Sequence, residues 1–274
     1  MAATDLYTVS GSLTPARSAI KCLGGNVDDY IQVDAFAEAQ VAAGDTTGTF
    51  TAWICPGDVG TETIIGCGDK NVVEFIELNV ELGKLVARCT DNTTVQFVVT
   101  SDAVIVDNLH RWVHVALVQG GVPQLYVNGE RIAQTNTTST NLAAWFGATA
   151  GIDSGRIGAA NKAGDDSVTQ EFSGAISDVK YWDTALTDEQ VRADFQGTDN
   201  ETNLISHWPF KIGLTDIGTA GYDGTNVGAG IIQVSGYSTL SSKLAFVAGA
   251  PVVADKINIW ADGGIGYASV LKAA

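Results

Sequence analysis

The chain has 274 residues, with 15 Lys and Arg against 31 Asp and Glu, for a formal charge of −16. That balance excludes a nucleic-acid glove, which needs a basic footprint, and adhesion to anionic membrane surfaces. Charged residues are only 17% while Gly reaches 31, the composition of a turn-rich β protein rather than a coiled coil, a disordered tail or a helical bundle.

The opening stretch MAATDLYTVSGSL has neither a basic start nor an apolar core, so no secretory signal is visible. The longest apolar stretch, at 245–254, is broken by Gly249 and Pro251 and falls far short of the ~20 residues of a membrane span. A soluble protein without membrane insertion is expected.

Cys22, Cys55, Cys67 and Cys89 all lie in the first third, with no C-x-x-C pair. An even count permits two disulfides in three connectivities. Each sits in or beside an apolar run, so free thiols acting as small hydrophobes are the expectation. Short β-like runs fall at 30–33, 50–55, 63–66, 72–79, 85–89, 95–100, 112–119, 124–127, 156–157 and 175–182. Turn signals separate them about every ten residues, the pattern of a sandwich or jelly roll. Leu82-Gly83 suggests a tight turn. Asn128-Gly129 predicts a hairpin whose two central residues both take positive φ. One helix is expected: Thr187 caps it, Gln190 completes a capping box, Leu186 and Val191 flank it, and Gly197 stops it.

In order, several of these segments resemble the laminin-G-like, concanavalin A-like jelly-roll family. Gly25-Asn26-Val27-Asp28-Asp29-Tyr30-Ile31-Gln32-Val33 resembles its opening "G-x-x-D-Y-V-x-V" strand, and Phe50-Thr51-Ala52-Trp53-Ile54 its "F-T-x-x-W-V" strand. Trp112-Val113-His114-Val115-Ala116 is similar to "W-x-H-V-A", and Leu125-Tyr126-Val127-Asn128-Gly129 to "L-Y-V-N-G". The run from Phe172 through Trp182 to Ala185-Leu186-Thr187 is similar to the closing "F-x-G-x-I-D-x-V-x-x-W-x-x-A-L-S". The resemblance implies an all-β sandwich with Trp53, Trp112 and Trp182 in its core and His114 as a packed structural residue. The family's "W-x-F … D-x-S-G-N-G" segment is missing from the start. A similar piece follows the helix instead, with His207-Trp208-Pro209-Phe210, Asp216 and Gly221-Tyr222-Asp223-Gly224-Thr225. Residues 1–19 thus read as an N-terminal arm, 20–234 as the sandwich with 204–234 completing it, and 235–274 as a C-terminal β extension.

Chemistry is sparse. None of the common nucleophile, zinc-protease, phosphate-loop or dinucleotide motifs occurs. Glu77, Asn79 and Glu81 share one strand face by period two. They resemble the "E-x-D-x-E" strand of jelly-roll glycoside hydrolases, where paired carboxylates flank the glycosidic bond. Here Asn79 replaces the Asp, and with Leu78 and Val80 on the other face the pattern reads as apolar-in, polar-out. The resemblance also implies a rim calcium ion, pointing to Asp28 and Asp29 and more loosely to Asp216 and Asp223, since calcium takes loop oxygens. Asp165-Asp166 is another loop pair. For a glycan, exposed aromatics are the candidates: Trp145 and Phe146, then Tyr222 and Tyr237.

The expected function is a non-enzymatic structural or display protein of a virus (phage) particle, of capsid-decoration or head-fibre type. It rests on the acidic Gly/Thr/Ala-rich composition, the absence of a leader and a lone β module with an unplaced tail. Such a protein would reside in the virion, dock on capsid or other virion proteins through 235–274, form homo-oligomers and contact host cell-surface glycans. The alternative is a calcium-assisted carbohydrate-binding or adhesion module, extracellular or on a cell surface; the second alternative is a glycoside hydrolase.

Overall fold

The computed structural model describes residues 17–22, 29–106, 109–198, 201–211 and 213–228, the backbone of 231–237, and the short pair 261–262 and 265–266. Asp28 lies outside the described residues. In chain order the strands are β1 (Arg17–Cys22), β2 (Tyr30–Gln32), β3 (Gly48–Pro56), β4 (Thr61–Gly68), β5 (Phe75–Glu81), β6 (Lys84–Asp91), β7 (Thr94–Ser101), β8 (Val113–Gln119) and β9 (Pro123–Val127). There follow β10 (Glu130–Arg131), β11 (Gln134–Ser139), β12 (Ser154–Ile157), β13 (Gly174–Trp182), β14 (Leu204–Trp208), β15 (Thr225–Val227), β16 (Ile231–Tyr237), β17 (Ala261–Asp262) and β18 (Ile265–Gly266).

Two eight-stranded sheets hold almost all of them. Sheet I runs β10-β9-β8-β3-β13-β1-β16, and β14 pairs with the far half of β13. Sheet II runs β11-β7-β6-β5-β4-β12-β2-β15. Every pairing between these strands is antiparallel. The core lies between the sheets, where alternate residues such as Ile76, Leu78 and Val80 of β5 meet Phe50, Ile54, Val115 and Val179 of sheet I. This is the expected all-β jelly-roll sandwich. All four cysteines are buried free thiols, and burial pushes those of Cys22, Cys67 and Cys89 well above the ordinary thiol pKa.

The local turn signals appear in the backbone. Leu82 and Gly83 have φ of 48° and 77°, and Asn128 and Gly129 have 50° and 79°. The expected helix is α2 (Asp188–Phe195), with the Thr187 side chain accepting from the Gln190 amide and the Gln190 side chain accepting from that of Thr187.

A second helix corrects the expectation of one. Helix α1 (Asp34–Ala43) is Ala-rich, packs Phe36 and Ala37 into the core and ends at Gly44 in the left-handed region, φ 69°. Its start has no side-chain cap, so the usual N-terminal signature is missing. Strand β1 begins at Arg17, inside the segment read as an arm, and sits between β13 and β16 in sheet I. Chain from 204 onward supplies β14 and β16 to sheet I and β15 to sheet II. No helix among the described residues is long and apolar enough to cross a membrane.

Candidate functional site

Two of the expected glycan aromatics are buried. Trp145 and Phe146 are 0% exposed, which overturns their assignment as sugar contacts. Trp145 donates its indole N–H to Tyr181 Oη at 3.2 Å, and Phe146 packs edge-on against Phe36 at 6.2 Å. Large rings between two sheets gain more from burial than from solvent, and the Ala/Gly-rich segment around them folds inward. Tyr222 is half-buried against the core and its carbonyl accepts from Trp208 Nε1. Tyr237 ends β16, opposite Arg17 in register.

Asp216 and Asp223 serve the backbone. Asp216 Oδ1 accepts from the amides of His207 and Gly218, and Oδ2 from that of Tyr222, at 2.7–2.8 Å. The Asp216 amide in turn donates to Asp223 Oδ1 at 2.9 Å. This clamp closes the loop after β14 in the manner of Asx turns. Asp29 is buried, with its amide donating to Glu171 Oε1. Asp165 accepts from the Ser167 amide, while Asp166 pairs with Arg156. Among the described residues no three His, Cys, Asp or Glu side chains gather as a metal site.

His114 is buried, its Nε2 2.9 Å from Asp194 Oδ2, and Lys180 Nζ lies 2.8 Å from Asp194 Oδ1. This trio ties α2 to the outer face of sheet I. Burial alone would raise the Asp194 carboxyl, but the His114 bond and the Lys180 charge outweigh it and hold it well below the ordinary range.

The outer face of sheet II is different. Glu77 and Asn79 point away from the core but are only 1% and 0% exposed, so the polar face of β5 is covered rather than bathed in water. The cover is the segment after β12. It lies against β4 at two glycines: a Cβ on Gly66 would press on Ala159 and Ala160, and one on Gly68 would collide with the Asn161 carbonyl. Arg156 anchors the same segment, donating to the carbonyls of Ala160, Asp166 and Ser167 while its guanidinium lies over the Tyr30 ring.

At the edge of this cover a polar cluster opens to solvent. Arg88 stands opposite Glu77 in register. Its Nη1 donates to Glu77 Oε1 at 3.1 Å and also to Glu81 Oε1, and its Nη2 donates to Glu81 Oε2 at 2.6 Å. Lys162 Nζ stands 3.6 Å from Glu77 Oε1. Asn79 Nδ2 and Thr63 Oγ1 both donate to Gln170 Oε1. The side chains of Arg88, Glu81 and Lys162 are 22%, 23% and 25% exposed. Glu77 Oε2 and Asn79 Oδ1 find no hydrogen-bond partner among the described residues. The Arg88 hydrogen bond lowers the Glu81 carboxyl below its ordinary pKa. A glycosidase acid needs a raised carboxyl facing its partner across open space, whereas Glu81 is held ionised and shares one guanidinium with Glu77. Sequence spacing found Glu77, Asn79 and Glu81; Arg88, Lys162 and Gln170 come from elsewhere in the chain and carry no motif.

A separate open groove of about 540 Å³ lies where the loop after β7 meets the β9–β10 hairpin, lined by Asp102, Val104, Arg111, Trp112, Asn128 and Ile132 among others. Its polar groups are largely committed: Asp102 Oδ1 accepts from Thr135, and Asn128 Oδ1 from the His114 amide. Trp112 is 7% exposed, too little for a stacking platform. The Arg88 cluster has the better chemistry.

A family model described as "Concanavalin A-like lectin/glucanases superfamily" matches residues 24–192. Among solved structures the chain is similar to the CBM40 of the Ruminococcus gnavus IT-sialidase, at 15% identity and a TM-score of 0.51 over 69% of this chain and 97% of that one. It is similar to NanB solved with Optactamide, at 12% identity and a TM-score of 0.52 over 65% of this chain and 27% of that one. The SAP-like pentraxin of Limulus polyphemus aligns at 17% identity and a TM-score of 0.48, over 84% and 94% of the two chains. At these identities the likeness is one of fold. No curated protein matches the chain. The family match spans more than half of the chain: the chain belongs to the concanavalin A-like lectin/glucanases superfamily.

Proposed function

We propose that this chain is a non-catalytic carbohydrate-binding module whose ligand lies on the outer face of sheet II, over Arg88, Glu77 and Glu81. The observation that carries this reading is the half-open cluster of planar polar side chains, set on the rigid strands β5 and β6. Sugar hydroxyls are recognised by such groups when the scaffold fixes their directions. The lectin superfamily and the CBM40 neighbour support a glycan as the ligand class. The pairing of both carboxylates with one guanidinium supports binding without bond cleavage. A module displayed on a virus particle would use the same face, so that expectation and this reading do not compete.

The test is a printed array of glycans probed with the labelled protein and with its Arg88→Met variant, each first shown to be folded by circular dichroism. Wild-type binding that the variant loses supports the site. Binding retained by a folded variant moves the ligand elsewhere, with the Trp112 groove next in line.

A further inference from the structure

Resting on the carbohydrate reading, the geometry points to a neutral glycan as the ligand, with acidic sugars selected against. The cluster holds two carboxylates, Glu77 and Glu81, and two cations, Arg88 and Lys162, and so carries no net charge. Arg88 spends its terminal nitrogens on the two glutamates. A sialate, uronate or sulfate would have to break those bonds or sit beside two carboxylates, and like charges at such distances repel.

The atoms left over favour the same answer. Glu77 Oε2 and Asn79 Oδ1 are buried acceptors that find no donor among the described residues. An anionic group offers only acceptors, whereas a hydroxyl both donates and accepts. Lys162 stands over Glu77 at 3.6 Å, beyond hydrogen-bond range, and it is the member that can swing aside. A hydroxyl entering there donates to Glu77 and accepts from the Lys162 ammonium. The formal charge of −16 across the chain further disfavours an anion.

The experiment uses the full chain on an array carrying neutral, sialylated, sulfated and uronate glycans, followed by calorimetry with the strongest neutral ligand and its sialylated counterpart. The expected result is a neutral ligand bound at least about tenfold more tightly than its sialylated form. That affinity should hold between about 0.1 M and about 1 M salt, where the Debye length shrinks from about 10 Å to about 3 Å. Glu81→Gln releases part of Arg88 and leaves the cluster with one net positive charge. In that variant the discrimination against the sialylated ligand should shrink severalfold. A wild-type chain that prefers sialylated or sulfated glycans, or loses its affinity in high salt, overturns the inference while leaving the carbohydrate reading standing. Unchanged discrimination in folded Glu81→Gln also overturns it. Binding to no glycan of any class ends both.

Discussion

Arg88 on β6 stands directly opposite Glu77 on β5, and its guanidinium joins Glu77 to Glu81 two turns of the pleat away. One cation is therefore shared by a carboxylate that is 1% exposed and another that is partly open. Removing it leaves Glu77 buried beside Lys162 alone. Arg88→Met is expected to cost about 2–3 kcal/mol by urea unfolding. Arg88→Lys should recover part of that loss but not the two-point grip on Glu81, because an ammonium lacks the planar fork. Equal stability of the two variants would contradict this account.

The Lys180–Asp194 pair at 2.8 Å is buried on both sides and shared with His114. Asp194→Asn should destabilise by about 2–4 kcal/mol, since the buried Lys180 then keeps only the more distant Asp178 carboxylate, at 3.6 Å. Replacing both partners, as Lys180→Met with Asp194→Leu, should recover much of the loss in a double-mutant cycle. The Asp194 carboxyl is held below its ordinary value of 3.8. Its contribution is therefore complete above that pH and disappears as the pH falls below it. The gap between wild type and Asp194→Asn in thermal melts should close in acid.

Glu62 has the opposite sign. Burial, then the neighbouring Asp58 carboxylate, push its carboxyl up to about 9. It is protonated in the folded chain at neutral pH, so stability is fully present below the ordinary carboxylate value and is lost as the pH rises toward 9. Glu62→Gln keeps the acceptor for the Ser173 amide and removes the titration. It should match wild type near pH 4 and exceed it at pH 8 by a few kcal/mol, on the order of 1.4 per unit of pH gap. A wild-type advantage at pH 8 would refute the protonated assignment.

A methyl group at Gly68 would collide with the Asn161 carbonyl. Gly68→Ala should lower stability by about 1–3 kcal/mol. It should also weaken glycan binding, because Lys162 is the next residue along the displaced segment. Hydrogen exchange would report the shift as lost protection around 159–170.

Trp145 makes the contrasting case. With its ring buried against Phe50 at 5.6 Å, Trp145→Ala should cost about 3–5 kcal/mol. The folded fraction should bind glycan with unchanged affinity. A selective loss of binding at full stability would return Trp145 to the list of sugar contacts.

The amino-acid order by itself determined the features that need only neighbouring residues. Asn128-Gly129 accepts positive φ at two successive positions and Gly83 at one, so the local sequence favours a turn at both places. Thr187 and Gln190 satisfy each other's backbone amides within one turn. Alternation sends Leu78 and Val80 inward and Glu77 and Asn79 outward because successive side chains of a strand oppose one another. Helix α1 was less legible, since its stability comes from Phe36 and Ala37 reaching the core rather than from a cap.

What covers a face is a different matter. Whether Trp145 meets water or Tyr181, and whether Glu77 meets water or Arg88 and Lys162, depends on other strands and on loops outside the local run of sequence. Burial of a ring or a carboxylate is settled by the sum of such distant contacts, which local periodicity does not encode. Alternation therefore identified the two faces of β5, and only the folding of 158–170 over Gly66 and Gly68 made one of them a partly enclosed polar site.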